Sequence, residues 1–177
     1  MSHVSLTELR KNLANYFDQV SANREPLFVT RQRGKGTLVV ISEEEFAGWQ
    51  ETVHLLSSPR NAERLMASVQ QVRNGETVEH ELISPAKTGL RVHFTDNGWA
   101  DYRYWCDNDR DVNNRVNQLI EDARRTPLTG LGKPEPLRGN LRGFWSRRIT
   151  GEHRLVYTIE GKGDAQCIIV AQCRYRY

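Results

Sequence analysis

Residues 133–154 read KPEPLRGNLRGFWSRRITGEHR, a Pro/Gly-rich loop that leads into a strongly basic segment. Glu135 lies between Pro134 and Pro136, and because proline fixes its own φ angle, the glutamate is presented on a stiff loop. Five arginines follow in the same stretch: Arg138, Arg142, Arg147, Arg148 and Arg154. A fixed carboxylate beside guanidinium groups suits metal-free cleavage of RNA, since the carboxylate accepts a 2′-hydroxyl proton and the arginines stabilise the phosphorane charge. An ordinary surface charge beside a basic strand is the alternative that Pro-Glu-Pro alone leaves open.

The elements around this stretch predict an α+β domain. Apolar and β-branched runs predict strands at about 92–94, 144–149, 153–159 and 165–173, and helical patterns predict helices at about 96–107 and 109–125. One strand, two helices and three strands in that order favour a compact domain whose helices pack on an antiparallel sheet.

The first half combines helices with a short hairpin. Ser5 and Glu8 predict a capping box at the start of the first helix. The apolar face of that helix comprises Leu6, Leu9, Leu13, Phe17 and Val20. Residues 27–30 and 37–41 predict a hairpin with a basic, glycine-containing tip. Two further helices are predicted, over about 42–56 and 59–75.

The composition excludes several classes of protein. The chain has 177 residues, of which 38% are hydrophobic and 27% charged, and no run of 18 apolar residues predicts a membrane span. The N-terminal residues lack the apolar segment of a signal peptide, and Cys106, Cys167 and Cys173 lack the paired spacing of a metal site. We therefore expect a cytoplasmic protein with no cofactor, no bound metal and no membrane partner.

Charge is unevenly distributed between the two halves. Residues 1–85 hold 9 Lys and Arg against 11 Asp and Glu, whereas residues 86–177 hold 16 against 11. The net charges are therefore −2 and +5, and the whole chain carries +3. An acidic part joined to a basic part predicts either two domains that neutralise each other or one domain with a face that binds polyanions.

From about Arg91 to Tyr177 the chain resembles a YoeB-type toxin of the RelE/ParE superfamily. The motifs that carry the resemblance are WADY (99–102), YW (104–105), RRTP (124–127), GKPEPL (132–137), GFWSRRI (143–149), EHRLVY (152–157) and CRY (173–175). The resemblance implies a ribosome-dependent endoribonuclease that cuts mRNA in the decoding A site. Its products are then a 2′,3′-cyclic phosphate and a 5′-hydroxyl.

The resemblance also implies a role for individual residues of this half. Glu135 matches the general base of the family, and Arg154 and Arg148 match arginines that stabilise the phosphate. Tyr177 matches the terminal aromatic residue near the site. The expected contacts with substrate or ribosome are Lys133 and Arg138.

One position departs from the family pattern. The toxins that this half resembles end Arg-Tyr-His-Tyr, with the histidine as general acid for the leaving 5′-oxygen, whereas this chain ends with Arg176 and Tyr177 after Arg174-Tyr175. Because arginine stays protonated at working pH, Arg176 is a poor proton donor and is expected to act only electrostatically. Loss of a general acid costs on the order of 10²–10⁴ in rate, so we expect a weak or disabled nuclease unless Tyr177 or water supplies the proton.

Residues 2–83 resemble a YefM/Phd-type antitoxin. The motifs are SLTELRKNL (5–13), PLFVTR (26–31), VVISEEEF (39–46) and LLSSPRNAERL (55–65). The resemblance implies a homodimer formed through the N-terminal domain, which binds operator DNA and represses its own operon. Arg10 and Arg31 match DNA-contacting arginines, and arginine to guanine is the commonest base-specific contact. Arg33 and Lys35 at the hairpin tip are expected to contact phosphates, with solvated surface charges as the alternative.

The end of the antitoxin-like part, about residues 57–83, matches a segment that folds on the toxin in this family. Its apolar stripe consists of Leu65, Met66, Val69 and Val72. We expect this stripe to lie on the toxin sheet as a helix in a groove, the alternative being a helix packed on its own N-terminal domain. The acidic tail comprises Glu76, Glu79 and Glu81. We expect the tail to lie across Arg148 and Arg154 and to exclude RNA.

The predicted fold is α+β, with a YefM/Phd-like dimerisation domain and helical tail followed by a RelE-like domain. The predicted boundaries are 1–56 for the DNA-binding and dimerisation domain, 57–83 for the neutralising segment, 84–90 for a linker and 91–177 for the toxin domain. Two functions remain open. One is an autoinhibited fusion of a latent mRNA endoribonuclease with a repressor, and the other is a repressor whose toxin half is inactive at Arg176 and serves as corepressor. The expected partners are operator DNA, a second copy of the chain, and the 70S ribosome with mRNA once the toxin half is free.

Overall fold

The computed structural model describes residues 2–32, 36–82 and 89–177. They form two compact units, Met1–Trp49 and Gln50–Tyr177. Residues 83–88, which include most of the predicted linker, lie outside the described residues, so the predicted domain boundaries stay predictions. Within the described ranges no helix has both the length and the apolar character needed to cross a bilayer.

The first unit is built on a three-stranded sheet in the order β1-β2-β3. The strands are β1 (Ser2–Ser5), β2 (Leu27–Thr30) and β3 (Leu38–Val40). β2 and β3 pair antiparallel, as predicted for the hairpin, while β1 adds a parallel pairing with β2 that the sequence pattern did not predict. A small core holds Val4, Leu9, Val20, Leu27 and Val29.

Two helices replace the single first helix that the apolar spacing predicted. They are α1 (Leu6–Lys11) and α2 (Leu13–Asn23). The predicted N-cap is present, because the Ser5 hydroxyl accepts the backbone N–H of Glu8 at 3.1 Å. The first helix stops at Asn12, whose backbone takes φ −131° and ψ 39°, outside the helical range, while its side-chain amide donates to the Glu8 carboxylate at 3.1 Å. The predicted apolar face is therefore divided, and Leu13 and Phe17 are each 45% exposed.

The second unit begins inside α3 (Glu43–Leu56) and contains the rest of the chain. Its other helices are α4 (Pro59–Asn74), α5 (Asp96–Asn108) and α6 (Arg110–Arg125). Its strands are β4 (Val78–Glu79), β5 (Arg91–Phe94), β6 (Glu135–Pro136), β7 (Trp145–Arg148), β8 (Arg154–Glu160) and β9 (Cys167–Gln172). α4 has the predicted ends, because Ser58 caps its start and Gly75 takes the left-handed conformation, φ 72°, at its end.

The six strands form one sheet in the order β4-β5-β9-β8-β7-β6. Neighbouring strands are antiparallel except β5 and β9, which run parallel. Parallel strands need a long connection, and α5 and α6 lie in the chain between these two strands. The predicted α+β class is confirmed, with the correction that the sheet is mixed rather than wholly antiparallel.

The sheet buries an apolar core on each face. The core that contains residues of α5 and α6 includes Tyr102, Trp105, Val116, Leu119, Ile120, Leu155, Tyr157 and Val170. The other core includes Leu55, Leu65, Val69, Val72, Val156, Ile169 and Ala171. Side chains alternate along a strand, so Val156 faces α4 and the end of α3 while its neighbours Leu155 and Tyr157 face α5 and α6. Helices from the antitoxin-like part and strands from the toxin-like part therefore share the second core.

Arg147 of β7 is a cation with no exposed surface. Its five N–H groups bond to the Asp122 carboxylate (2.5 Å), the Tyr157 hydroxyl (3.0 Å) and the carbonyl oxygens of Leu131 (2.9 Å), Thr126 (2.6 Å) and Thr129 (2.8 Å). Every donor of the guanidinium group is thereby used. The side chain ties the loop that precedes Glu135 to α6 and to the sheet, so it positions the loop rather than offering a surface charge.

Arg147→Lys is expected to lower the free energy of unfolding of the second unit by about 3 kcal/mol, because one ammonium group cannot reach acceptors on both α6 and the loop. Urea unfolding of the full chain measures the loss through tryptophan fluorescence, because three of the four tryptophans, Trp99, Trp105 and Trp145, lie in the second unit. Arg142→Lys, at an exposed position, is the matched control and is expected to change stability by less than about 0.5 kcal/mol. Equal stabilities of the two variants would contradict a structural role for the Arg147 network.

Candidate functional site

The strand pairings put the predicted catalytic side chains on one face of the sheet. Glu135 of β6 pairs with Ser146 of β7, and Arg148 of β7 pairs with Arg154 of β8. Paired residues on antiparallel strands share a face, and so do alternate residues along one strand. All four side chains therefore belong to the face that carries Val156, which α4 and the end of α3 cover.

Glu135 is almost buried, at 6% exposure, although β6 is an edge strand. Its Oε1 lies 3.3 Å from Nζ of Lys133, a residue whose left-handed backbone, φ 51°, is uncommon outside glycine. The other predicted substrate contact, Arg138, is half-buried, and its backbone N–H donates to the Thr52 hydroxyl of α3 at 2.8 Å. The structure therefore brings a sheltered carboxylate and a lysine together, and puts Arg138 against α3.

Arg154 and Arg148 lie on this face of the sheet but differ in their exposure to solvent. Arg154 is 6% exposed, and its Nη1 donates to the backbone carbonyl oxygens of the loop between β7 and β8. These oxygens belong to Thr150, Gly151 and His153. The side chain of Arg148 is 51% exposed. An anion at this face thus meets one guanidinium fixed by a loop and one that solvent reaches.

Both arginines contact Glu51, a residue of α3 that the sequence pattern did not predict in the site. Glu51 Oε2 accepts from Arg154 Nε at 2.6 Å and from the Ser146 hydroxyl at 3.3 Å. Its Oε1 lies 3.4 Å from Arg154 Nη2 and 3.3 Å from Arg148 Nη2. Glu51 is 6% exposed. The basic site therefore contains an anion that comes from outside the toxin-like part.

A sequence signal for Glu51 exists in the helical spacing. Residues four apart in a helix lie on the same side, and Glu51 precedes Leu55, which is fully buried, by four positions. The sequence pattern predicted no partner for this carboxylate, and we therefore assigned it no role. Its partners Ser146 and Arg154 lie far away in the chain, and the fold brings them together.

The arginines keep Glu51 ionised despite its burial. Burial alone would raise the pKa of Glu51, but the hydrogen bond and charge of Arg154, the charge of Arg148 and the bond from Ser146 together hold the pKa below its ordinary value of 4.5. The carboxylate is therefore negatively charged at neutral pH, and its charge offsets part of the positive charge of the site.

The acidic tail does not reach this site, so the expectation that it covers the arginines is wrong. Glu79 lies on β4, which pairs with β5 at the edge of the sheet opposite β6. Its Oε2 is 3.7 Å from Arg91 Nη1 and 3.9 Å from His93 Nε2. Strand pairing fixes the path of the tail, because backbone bonds to a sheet edge outweigh attraction to a more distant cluster of charge.

The predicted neutralising stripe lies against the sheet. Leu65 and Val69 have no exposed surface, Val72 is 9% exposed, and Met66 packs against the same core from a half-buried position. This arrangement favours the helix-in-groove expectation over a helix packed on the N-terminal domain. The neutralising effect of the stripe remains a prediction.

The guanidinium group of Arg176 is not brought to Glu135. Within the described residues its ion pair is with Asp101 of α5, where Nη2 lies 3.4 Å from Oδ1. The same oxygen accepts from Arg64 of α4 at 2.9 Å, and Asp101 has no exposed surface. Burial raises the pKa of Asp101, and the two guanidinium groups oppose that rise. Arg176 thus joins a buried charge cluster that spans α4 and α5.

The remaining C-terminal residues lie beside the loop between β7 and β8. Tyr177 is 79% exposed, and its ring meets that of Tyr175 edge to face with centroids 5.2 Å apart. The backbone N–H of Tyr175 donates to His153 Nδ1 at 3.2 Å. Burial lowers the pKa of His153, so this ring is neutral at neutral pH and accepts that bond. The predicted roles of Tyr177 and Arg176 stay predictions.

Two of the four predicted DNA contacts lie in described parts of the first unit. Arg10 is exposed near the end of α1, and Arg31 directly follows β2. Arg31 Nε donates to the carbonyl oxygen of Gly36 at 3.0 Å, across the base of the hairpin. Arg33 and Lys35 lie outside the described residues.

Two family descriptions match the chain in succession. "Antitoxin Phd_YefM, type II toxin-antitoxin system" matches residues 1–75, and "YoeB-like toxin of bacterial type II toxin-antitoxin system" matches residues 94–177. Both matched ranges include residues of the second unit, in agreement with the core shared by α4 and the sheet.

Individual proteins match each half along nearly their whole length. The toxin YoeB of Escherichia coli strain K12 is 48% identical over 88 residues, which are 50% of this chain and 100% of the relative. The antitoxin YefM of Streptomyces coelicolor is 44% identical over 82 residues, which are 46% of this chain and 92% of the relative. A chain from a heterotetrameric YoeB-YefM toxin-antitoxin complex of Staphylococcus aureus is 41% identical, with 51% of this chain and 100% of that chain covered and a TM-score of 0.46.

Glu51→Gln is expected to lower the free energy of unfolding at neutral pH by about 2 kcal/mol, because it removes the charge that the arginines bind. Since the pKa of Glu51 is held below 4.5 in the fold, the contribution of its charge is complete above pH 4.5 and is lost as the pH falls through the lowered pKa. Urea unfolding at a series of pH values tests this, with Glu63→Gln at an exposed position as control. A stability difference that does not shrink in acid would contradict the ion pair.

Proposed function

In its first part the chain belongs to the Phd/YefM antitoxin family and in its second part to the YoeB toxin family, and on that premise we propose that it is a latent mRNA endoribonuclease held inactive by its own antitoxin part. The expected substrate is mRNA in the A site of a translating ribosome, and the expected location is the cytoplasm. The proposed partners of the toxin half are the ribosome and mRNA, once the antitoxin part of the chain is removed.

The observation that carries the proposal is the shared sheet face of Glu135, Arg148 and Arg154. A sheltered carboxylate can accept a proton, and guanidinium groups on the same face can bind the two non-bridging oxygens of a phosphate. Lys133, at 3.3 Å from Glu135, adds a further cation for the substrate, and Arg138 lies close by in sequence.

In the proposed reaction Glu135 takes the proton of a ribose 2′-hydroxyl, and the 2′-oxygen forms a bond to the adjacent phosphorus. The bond from phosphorus to the 5′-oxygen breaks, and water gives a proton to the leaving oxygen. The hydroxide that remains takes the proton from Glu135, which restores the carboxylate. The products are a 2′,3′-cyclic phosphate and a 5′-hydroxyl. Arg148 and Arg154 stabilise the charge that builds up on the non-bridging oxygens.

Excision of residues 90–177 is expected to release cleavage that the full chain lacks. The relative from Escherichia coli is matched over its whole length by this half of the chain, which supports a fragment that folds alone. The assay maps the 5′ ends of a reporter mRNA on translating ribosomes, after circular dichroism shows that the fragment is folded. Glu135→Gln in the fragment is expected to reduce cleavage by about 10²–10⁴-fold, since it removes the base. A folded fragment that leaves the mRNA intact would contradict the proposal.

A second function is favoured by the surroundings of Arg176. Its guanidinium pairs with Asp101 and not with Glu135, and arginine is a poor proton donor. On this second hypothesis the toxin half is inactive and serves as a corepressor on DNA.

Arg176→His in the excised fragment separates the two functions. If the missing acid limits the nuclease, the variant is expected to cut about 10²-fold faster or more than the unchanged fragment. An Arg176→His fragment that folds and still does not cut would favour the corepressor.

The antitoxin part is proposed to bind operator DNA as a homodimer. Support comes from Arg10 and Arg31, which match DNA-contacting arginines of the antitoxins that this part resembles. Arg33 and Lys35 are proposed as additional contacts, with phosphates.

Arg10→Ala is expected to weaken binding to the DNA upstream of the protein's own coding region by roughly tenfold or more, as for loss of a base-contacting arginine. Fluorescence anisotropy at constant salt measures the affinity for this DNA and for a scrambled duplex. Lys11→Ala, at the neighbouring exposed position, is the control and is expected to weaken both duplexes to a similar, smaller extent. Equal affinity of Arg10→Ala and the unchanged chain for the upstream DNA would remove Arg10 from the interface.

A further inference from the structure

The donors around Glu51 form a complete binding site for one anionic group. The two carboxylate oxygens of Glu51 contact the Ser146 hydroxyl, two nitrogens of Arg154 and one nitrogen of Arg148, all within 3.4 Å. All three donor residues lie on β7 and β8, on the same sheet face as Glu135. Glu51 itself comes from α3, in the antitoxin-like part.

Arg154 holds Glu51 in the manner in which a guanidinium group holds a phosphate. Nε and Nη2 of one arginine approach the two oxygens of one carboxylate, at 2.6 Å and 3.4 Å. The same fork binds two non-bridging oxygens of a phosphodiester, which carries the same charge of about −1. A phosphate on this face therefore needs the donors that Glu51 occupies.

Contacts on both sides of the site hold α3 in this position. On the β6 side, the Thr52 hydroxyl accepts the backbone N–H of Arg138 at 2.8 Å. On the side of the loop between β7 and β8, His54 Nε2 lies 2.9 Å from the carbonyl oxygen of Glu152. One helical turn after Glu51, Leu55 is buried in the core below the helix. The contacts of α3 on both sides of Glu51 therefore fix the position of its carboxylate.

Stability alone does not account for this buried pair. Removing a carboxylate and a guanidinium from water costs about as much as their attraction returns, and apolar side chains of similar volume often stabilise a protein better. Leu55, one helical turn after Glu51, and Leu65 of α4 both belong to the apolar core on this face, so replacing the whole pair with apolar residues would extend that core. A carboxylate at this position instead neutralises cations that another ligand would otherwise bind.

We infer that Glu51 closes the nuclease site by standing in for the scissile phosphate between Arg148 and Arg154. The inference rests on the proposed function and adds its regulation, because RNA and Glu51 compete for the same donors. A group tethered in the same chain reaches an effective concentration of the order of mM, so RNA at lower concentrations does not displace it. Release then requires withdrawal of the C-terminal part of α3 from the sheet.

Binding to the full chain tests the inference without catalysis. The probe is a short fluorescein-labelled single-stranded RNA, 2′-O-methylated throughout so that it cannot be cut. Glu51→Gln keeps the shape of the side chain and removes its charge. This variant is expected to bind the RNA at least about tenfold more tightly than the unchanged chain, because a larger fraction of the molecules has Arg148 and Arg154 free to bind phosphate. Glu63→Gln removes the same charge at an exposed position of α4 and is expected to bind as the unchanged chain does.

Two further variants secure this result. Adding Arg148→Ala to Glu51→Gln is expected to abolish the gain, which assigns it to this site and not to the basic residues of the first unit. Glu51→Asp keeps the charge and shortens its reach, so an intermediate affinity is expected, and this variant decides the matter if Glu51→Gln fails to fold. Equal affinities of the position-51 variants and Glu63→Gln overturn the inference.

Cleavage by the same full-length variants on translating ribosomes separates this inference from the proposed function. Tighter RNA binding together with cleavage by Glu51→Gln supports both. Tighter binding without cleavage, beside an equally inactive excised fragment, keeps Glu51 in the phosphate site and overturns the nuclease. Unchanged binding by Glu51→Gln beside an active fragment overturns the role of Glu51 and leaves the nuclease standing.

Discussion

The alternation of side chains along β7 sends two neighbouring arginines to opposite faces of the sheet, and both the loop before Glu135 and the cationic site depend on this division. Arg147 enters the face of α5 and α6, where it binds Asp122 and the loop carbonyl oxygens. Arg148 enters the other face and meets Glu51. One basic pair therefore supplies both the anchor of the loop before Glu135 and half of the cationic site. A shift of the strand by one residue would exchange the two arginines and lose both functions.

Local signals in the sequence predicted much of this architecture. Pro59 and Gly75 mark the ends of α4 because proline favours the first helical turn and glycine the left-handed residue after the last. Glu135, Arg148 and Arg154 were predicted as one site by resemblance, and the strand register explains how they come to share a face. The α+β class followed from the order of helices and strands.

The features that escaped prediction depend on competition between interactions. At Asn12 the backbone leaves the helical conformation, with φ −131°, and ends a helix that apolar spacing alone would continue. At the tail, backbone pairing of β4 with β5 prevails over the attraction between acidic residues and the basic site. The place of Glu51 depends on partners far away in sequence, whose approach only the folded sheet creates. Patterns of hydrophobicity and charge do not rank such alternatives against one another.

The order of the elements along the chain has a consequence for biosynthesis. A ribosome makes α3 and α4 before β6, β7 and β8, and β9, an interior strand of the sheet, follows these three. Chains begin to fold from the N-terminus as they emerge. The helix that carries Glu51 is therefore already made when the strands that carry Arg148 and Arg154 leave the ribosome. Because Glu51 and the two arginines it contacts belong to one chain, every copy of the protein carries them in equal number.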